Sequence, residues 1–193
     1  MPHNNHVIDK VNKDINPFYG DPKEYYLELA KDWEDPYGIP DVREHDTIRV
    51  VRDDSLVGSK VRGGDCLINS LPNHIDTIVY VQPRTGLAGV SILDVAKRHG
   101  KDVMLFMPSS KRISDHQACC IERGARTSFH RIAAMPNLNL IAKKWADERK
   151  NAFFVPLGLK HEMVTAGIVK TASKIREPEE VYTATSTGVL TRG

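Results

Sequence analysis

The 193-residue sequence predicts an α/β fold, a three-layer, mostly parallel sheet with helices on both faces. Three observations carry this expectation. Short, continuously apolar segments recur from residue 47 onward, each bounded by proline, glycine or a polar turn. The stretches between them place apolar residues at helical spacing. Apolar content of 40% and charged content of 27% are those of a packed globular protein. Buried strands that alternate with helices are joined by right-handed crossovers, which makes the strands parallel.

Residues 1–46 read as a polar, proline-punctuated N-terminal extension. Within it, Pro22 to Trp33 forms one helix, with Asp21 as N-cap and Pro22 at its first position. Tyr25, Tyr26, Leu29, Ala30 and Trp33 share a face that packs on the main body or on a second subunit. Residues 47–193 form the ligand-binding α/β region, which opens with a β-branched strand at Thr47–Arg52. Thr77–Gln82 is an apolar strand, and Leu87–His99 is a helix that ends at Gly100. Val103–Met107 is a strand stopped by Pro108, and Ser114–Arg123 is a helix ended by Gly124. Thr127–Ile132 follows as a strand, then Asn137–Lys150 as a helix capped by Asn137. Ala152–Val155 is a strand stopped by Pro156, Glu162–Ile175 is helical, and Val181–Thr185 is the last strand.

Charge and cysteine usage exclude several function classes. Lys plus Arg number 27 against 25 Asp plus Glu, a net charge of +2, so no basic coat marks a nucleic-acid or membrane-surface protein. No apolar run is long enough to span a bilayer, and Met1-Pro2-His3-Asn4-Asn5-His6 lacks the apolar core of a signal peptide. The cysteines are Cys66 and the adjacent Cys119-Cys120, without CxxC spacing, which fits a reducing cytoplasm and small core residues. The histidines form no HxxxH or HExxH arrangement, so no metal site is predicted.

Chemistry is sought first at Asp53-Asp54-Ser55-Leu56-Val57-Gly58-Ser59-Lys60, a loop that presents one amine. An amine becomes a nucleophile towards carbonyl compounds when burial or a neighbouring cation lowers its pKa. Ligands of parallel sheets bind at the carboxyl ends of the strands, and three loops there are informative. Pro83-Arg84-Thr85-Gly86 offers a hydroxyl and backbone N–H groups at a helix start, a site for an anion or carboxylate. Pro156-Leu157-Gly158-Leu159-Lys160-His161 follows a strand. Ser186-Thr187-Gly188-Val189-Leu190-Thr191 is rich in hydroxyls and glycine and suits a phosphate. Local sequence alone does not separate Lys60 from a solvated surface lysine, or these loops from ordinary turns.

Taken in order, these segments resemble the tryptophan-synthase-β-like pyridoxal phosphate enzymes of fold type II, nearest to aminocyclopropane-carboxylate deaminase and D-cysteine desulfhydrase. The resemblance spans about residues 47–193. It rests on Gly58-Ser59-Lys60-Val61-Arg62, Arg84-Thr85-Gly86-Leu87, Met104–Arg126 with Met107-Pro108 and Arg123-Gly124-Ala125, Phe153–Ile175, and Ala184–Gly193. It implies that Lys60 holds pyridoxal 5'-phosphate as an internal aldimine and moves a proton near the substrate Cα. It further implies that Ser186, Thr187, Gly188 and Thr191 hold the cofactor phosphate, and that Arg84, Thr85 and Gly86 hold the substrate carboxylate. Asp53, Asp54 and Arg62 then shape the loop. The implied activity is that of a lyase or deaminase acting on a small amino acid or another amine-bearing substrate.

Departures accompany the resemblance. Gly86-Leu87 replace the family's Asn-His pair, and Ser186 and Val189 replace phosphate-loop glycines. The family pattern continues where this sequence stops, at Gly193. The resemblance therefore implies a truncated product, a split half whose C-terminal part a second chain supplies, or a cofactor-free relative. The Tyr25/Trp33 helix and Cys66 are candidates for a homodimer contact. A second resemblance links Asp76–Gly100 to the strand, Pro-Arg-x-Gly turn and helix of phosphoribosyltransferases, with Arg84-Thr85-Gly86 for pyrophosphate. That class needs an acidic pair before its phosphate loop; Thr187-Gly188 lacks one, and Asp53-Asp54 stand too early. A non-catalytic nucleotide- or phosphate-binding α/β protein is the third reading.

Overall fold

The computed structural model describes residues 22–58, 60–131, 134–178, 180–183 and 188–192. Its core is a four-stranded parallel sheet of order β5-β4-β3-β6. The strands are β3 (Thr77–Val81), β4 (Asp102–Pro108), β5 (Arg126–His130) and β6 (Ala152–Phe154). All five residues of β3 are buried, as a central strand covered on both faces requires. Alternation divides them: Ile78 and Tyr80 join one core, and Val79 and Val81 join the other. The first face is covered by α2 (Val61–Asn69), α3 (Ala88–Arg98), α4 (Asp115–Glu122) and the start of α6 (Glu162–Ala172). The opposite face is covered by α5 (Met135–Asp147) through Leu138, Ala142 and Ala146. The expected three-layer α/β architecture is the one observed.

The helix expected at Pro22–Trp33 is α1 (Pro22–Leu29), and Ala30 and Trp33 continue its apolar face in the turns that follow. Tyr26, Ala30 and Trp33 pack on Cys66 of α2 and on Ala166 and Val169 of α6. Trp33 and Cys66 are 3% and 0% exposed. Lys170 on α6 caps the end of α1 by donating to the carbonyls of Ala30, Lys31 and Trp33 at 2.8, 2.9 and 2.5 Å. Burial pushes the thiols of Cys66 and Cys120 up to about 12 and about 11, respectively. Both are therefore neutral and inert at physiological pH.

Three local expectations are corrected. The Thr47–Arg52 segment is a strand, β2 (Ile48–Arg52), but it pairs antiparallel with β1 (Asp41–His45) in a separate two-stranded ribbon. Helix α5 begins at Met135 with Ala134 as N-cap, so Asn137 lies inside it; Pro136 fits the first turn because its missing N–H would have no partner there. Val181–Thr183 lies outside any strand, and Ala184 and Thr185 lie outside the described residues. Val181 and Tyr182 are 74% and 87% exposed, so this segment lies on the surface instead of packing as a buried strand. Among the described residues, no helix is long and apolar enough to cross a membrane.

Candidate active site

Lys60 stands at the N-cap of α2. The loop that delivers it is built from short backbone turns, Leu56 N to Asp53 O at 3.1 Å and Gly58 N to Leu56 O at 2.8 Å. Gly58 adopts φ +91°, and a Cβ there would lie 2.6 Å from Ser91 Oγ and 3.5 Å from Leu87 Cβ. This position therefore requires glycine for both its conformation and its close approach to α3. Ser91 Oγ is placed against the carbonyls of Val57 and Leu87, which ties the Lys60 loop to the first turn of α3.

The Lys60 side chain caps no backbone group of its own helix. It crosses instead to the loop after β6, where Nζ donates to Gly158 O at 2.9 Å. Gly158, at φ +76° inside a 3₁₀ turn (Leu157–Leu159), donates its own N–H to the hydroxyl of Tyr80 at 3.3 Å. Tyr80 is 1% exposed on β3. A chain of contacts thus runs from the central strand through Gly158 to the Lys60 amine. Burial first, and the nearby charge of Lys160 second, hold that amine below the ordinary lysine value.

The Arg84-Thr85-Gly86 turn is fixed from beneath by one buried carboxamide. Gln82, 0% exposed, donates from Nε2 to the carbonyls of Pro83 and Gly86 at 2.8 and 3.0 Å. Its Oε1 accepts the Gly89 N–H at 2.9 Å, and a Cβ on Gly89 would collide with that carboxamide. Ser114, the N-cap of α4, donates to Arg84 O. With its carbonyls held from inside, the turn leaves Arg84, Thr85, Gly86 and Leu87 facing solvent. Gly86 adopts φ +110° with open space on its Cβ side.

Because β3 and β6 are parallel neighbours, the loops at their carboxyl ends emerge side by side. The structure thereby brings together Lys60, the Gly158 loop and the turn that opens α3, with Gly58, Leu87 and Ser91 as the meeting point. Gly188, at φ +79°, precedes α7 (Val189–Arg192), which contains Thr191. Val189 is buried in the same apolar core as Val61 and Leu159. Ser186 and Thr187 lie outside the described residues. Of the supporting residues, Tyr80, Gln82 and Ser91 were not singled out from sequence. A glutamine that interrupts an apolar strand one residue before a proline is the signal that marks Gln82.

No protein-family model matches the chain, and no curated protein sequence does. Solved structures do match. One described as an ACC deaminase homologue aligns with 81% of this chain and 54% of its own, at a TM-score of 0.64 and 18% identity. The processed form of threonine deaminase isoform 2 from Solanum lycopersicum aligns with 82% of this chain and 50% of its own, at 0.65 and 11%. A pyridoxal 5'-phosphate-dependent aspartate racemase aligns with 78% and 50%, at 0.53 and 17%. The fold is that of the tryptophan-synthase-β-like, fold-type II enzymes. The chain spans about half the length of each of these structures.

The described residues suit the aldehyde end of pyridoxal phosphate. Lys60 supplies a partly buried amine whose pKa is lowered by burial, which favours the neutral form that reacts with carbonyl carbon. Gly86 and Gly188 are both at positive φ, and among the described residues other than their chain neighbours nothing lies within 4 Å of where a Cβ would stand.

Proposed function

We propose that this chain carries a pyridoxal phosphate-dependent lyase or deaminase site for a small amino acid or related amine. The observation that supports it most is the placement of the Lys60 amine. It sits at the head of α2, partly buried, and reaches the loop beyond β6 on a fold shared with enzymes of this kind. Lys60 is the residue that bonds the cofactor aldehyde; Ser186, Thr187, Gly188 and Thr191 hold its phosphate. When bound, the cofactor ring takes up the electron pair left when a bond to the substrate Cα breaks. Arg84, with the Thr85 hydroxyl and the Gly86 N–H, orients the substrate carboxylate. The Lys60 amine accepts or returns the proton at Cα, and its lowered pKa favours the neutral form that this needs.

No observation favours the phosphoribosyltransferase reading. Asp53 is paired with Arg62 at 2.9 Å and Asp54 with Arg52 at 2.6 Å. Titration with pyridoxal phosphate, followed by visible absorbance beside a Lys60→Ala variant, tests the proposal. A visible band in the parent chain, reducible by borohydride and absent from the variant, is expected. No band in either protein overturns it.

A further inference from the structure

The most heavily bonded side chain near Lys60 is that of Arg62, two residues further along α2. Its side chain is 7% exposed. Nε reaches the Asp53 carboxylate at 3.1 Å and Nη2 reaches it at 2.9 Å. Nη1 donates to Asp35 Oδ2 at 2.7 Å and to Gly38 O at 2.6 Å. The Tyr37 ring centroid lies 5.8 Å from the guanidinium carbon. Asp35, whose side chain is 0% exposed, also accepts from Thr171 Oγ1 of α6 at 2.7 Å. A buried guanidinium is tolerated only when its fork of donors is met, and here two carboxylates and one carbonyl meet it.

The location of these partners gives Arg62 its consequence. Asp53 is the first residue after β2, and Arg62 is the second residue of α2. Their ion pair closes the stretch that carries Lys60, pinning it at both ends and removing most of its conformational freedom. Asp35 and Gly38 belong to the segment after α1, and Thr171 anchors Asp35 to α6, the helix that follows the Gly158 loop. Arg62 therefore references the head of α2 to the same structural unit that supplies the Lys60 acceptor.

We infer that Arg62 is a positioning residue for Lys60: through Asp53, Asp35 and Gly38 it holds the Lys60 loop and the head of α2 so that the amine reaches the Gly158 loop. This rests on reading Lys60 as the working amine. Lysine cannot replace Arg62, because one ammonium presents its donors from a single point and cannot span Asp53, Asp35 and Gly38 together.

The test is competitive labelling of the full chain with fluorodinitrobenzene across pH, read lysine by lysine by mass spectrometry. Arg62→Lys and Asp53→Asn are compared with the parent and with Trp33→Phe. The last removes the bond from Trp33 Nε1 to Asp65, at 2.9 Å in the neighbouring buried seam, without touching Arg62. Loosening Lys60 into solvent removes the burial and the Lys160 charge that hold its amine down, so its labelling midpoint rises. That rise is expected in Arg62→Lys and Asp53→Asn, and no rise in Trp33→Phe. An unchanged midpoint in both, with native circular dichroism, overturns the inference. If Arg62→Lys does not fold, Asp53→Asn alone decides, since Asp53 is 22% exposed and asparagine matches its shape. The reagent is not the cofactor, so failure to take up pyridoxal phosphate counts against the proposed function and leaves this result standing.

Discussion

Replacing Gly63 by alanine opposes two effects of known size. Gly63 lies inside α2, where alanine is the better helix former by about 1 kcal/mol. A Cβ there, however, would lie 2.5 Å from Val164 O and 2.7 Å from Val164 Cγ1 of α6. The carbonyl belongs to a helix backbone and cannot swing aside, so the two helices must separate, an overpacking that costs about 1–3 kcal/mol. The net expectation is a loss of about 1 kcal/mol. Gly64, the next residue, is the internal control. Its added Cβ would meet Leu159 Cδ2 at 3.5 Å, an ordinary contact. Gly64→Ala should therefore gain about 1 kcal/mol. For a domain of this size, a 2 kcal/mol difference separates the two melting temperatures by roughly 4–8 °C. Thermal unfolding of both variants, followed by circular dichroism, makes the comparison. Equal melting temperatures, or Gly63→Ala above Gly64→Ala, would refute the close contact between α2 and α6 at Gly63.

Two further expectations follow from buried polar groups. Gln82→Leu leaves the carbonyls of Pro83 and Gly86 and the Gly89 N–H without their buried partner, a loss of about 1–3 kcal/mol visible in urea unfolding. Amide exchange at Gly89 should accelerate in that variant. Burial holds the His161 imidazole below its ordinary value of 6.5, so the unfolded chain binds more protons in the window just beneath that value. Stability is then fully present above pH 6.5 and is lost as pH falls through the folded pKa. His161→Asn, which keeps an acceptor for the Met163 N–H now bonded to His161 Nδ1 at 3.2 Å, should flatten melting temperature against pH between 5 and 7.

The legible parts of the fold were those where one pattern dominates. Ile78–Val81 is wholly apolar because both faces of a central parallel strand are covered, and the parallel direction of β3, β4, β5 and β6 follows from the alternation with helices. Helix α2 was not legible as a helix. Val61-Arg62-Gly63-Gly64-Asp65 carries two poor helix formers and two charges, yet Arg62 and Asp65 are 6% and 2% exposed. Their burial depends on Asp35, Asp53, Trp33, Arg98 and His99, partners that local sequence does not reveal. Strand β1 was hidden for a related reason: Asp41-Val42-Arg43-Glu44-His45 is mostly exposed and takes its conformation from pairing with β2. Within the site, Lys60 and the Arg84–Gly86 turn were marked by their order along the chain. Of the groups that orient them, Tyr80 and Ser91 act through long-range hydrogen bonds and carry almost no local signal, whereas Gln82 bonds to its own turn and is marked by its place before Pro83.

The central claim is that Lys60, among all the lysines, is the amine that takes up the cofactor. The most direct measurement is to incubate the full chain with a stoichiometric amount of pyridoxal phosphate, reduce with borohydride, and map the modified residue by peptide mass spectrometry. The account predicts one dominant pyridoxyl-modified site, Lys60. Modification spread over exposed lysines such as Lys31, Lys143 and Lys160, with Lys60 unmodified, would contradict it.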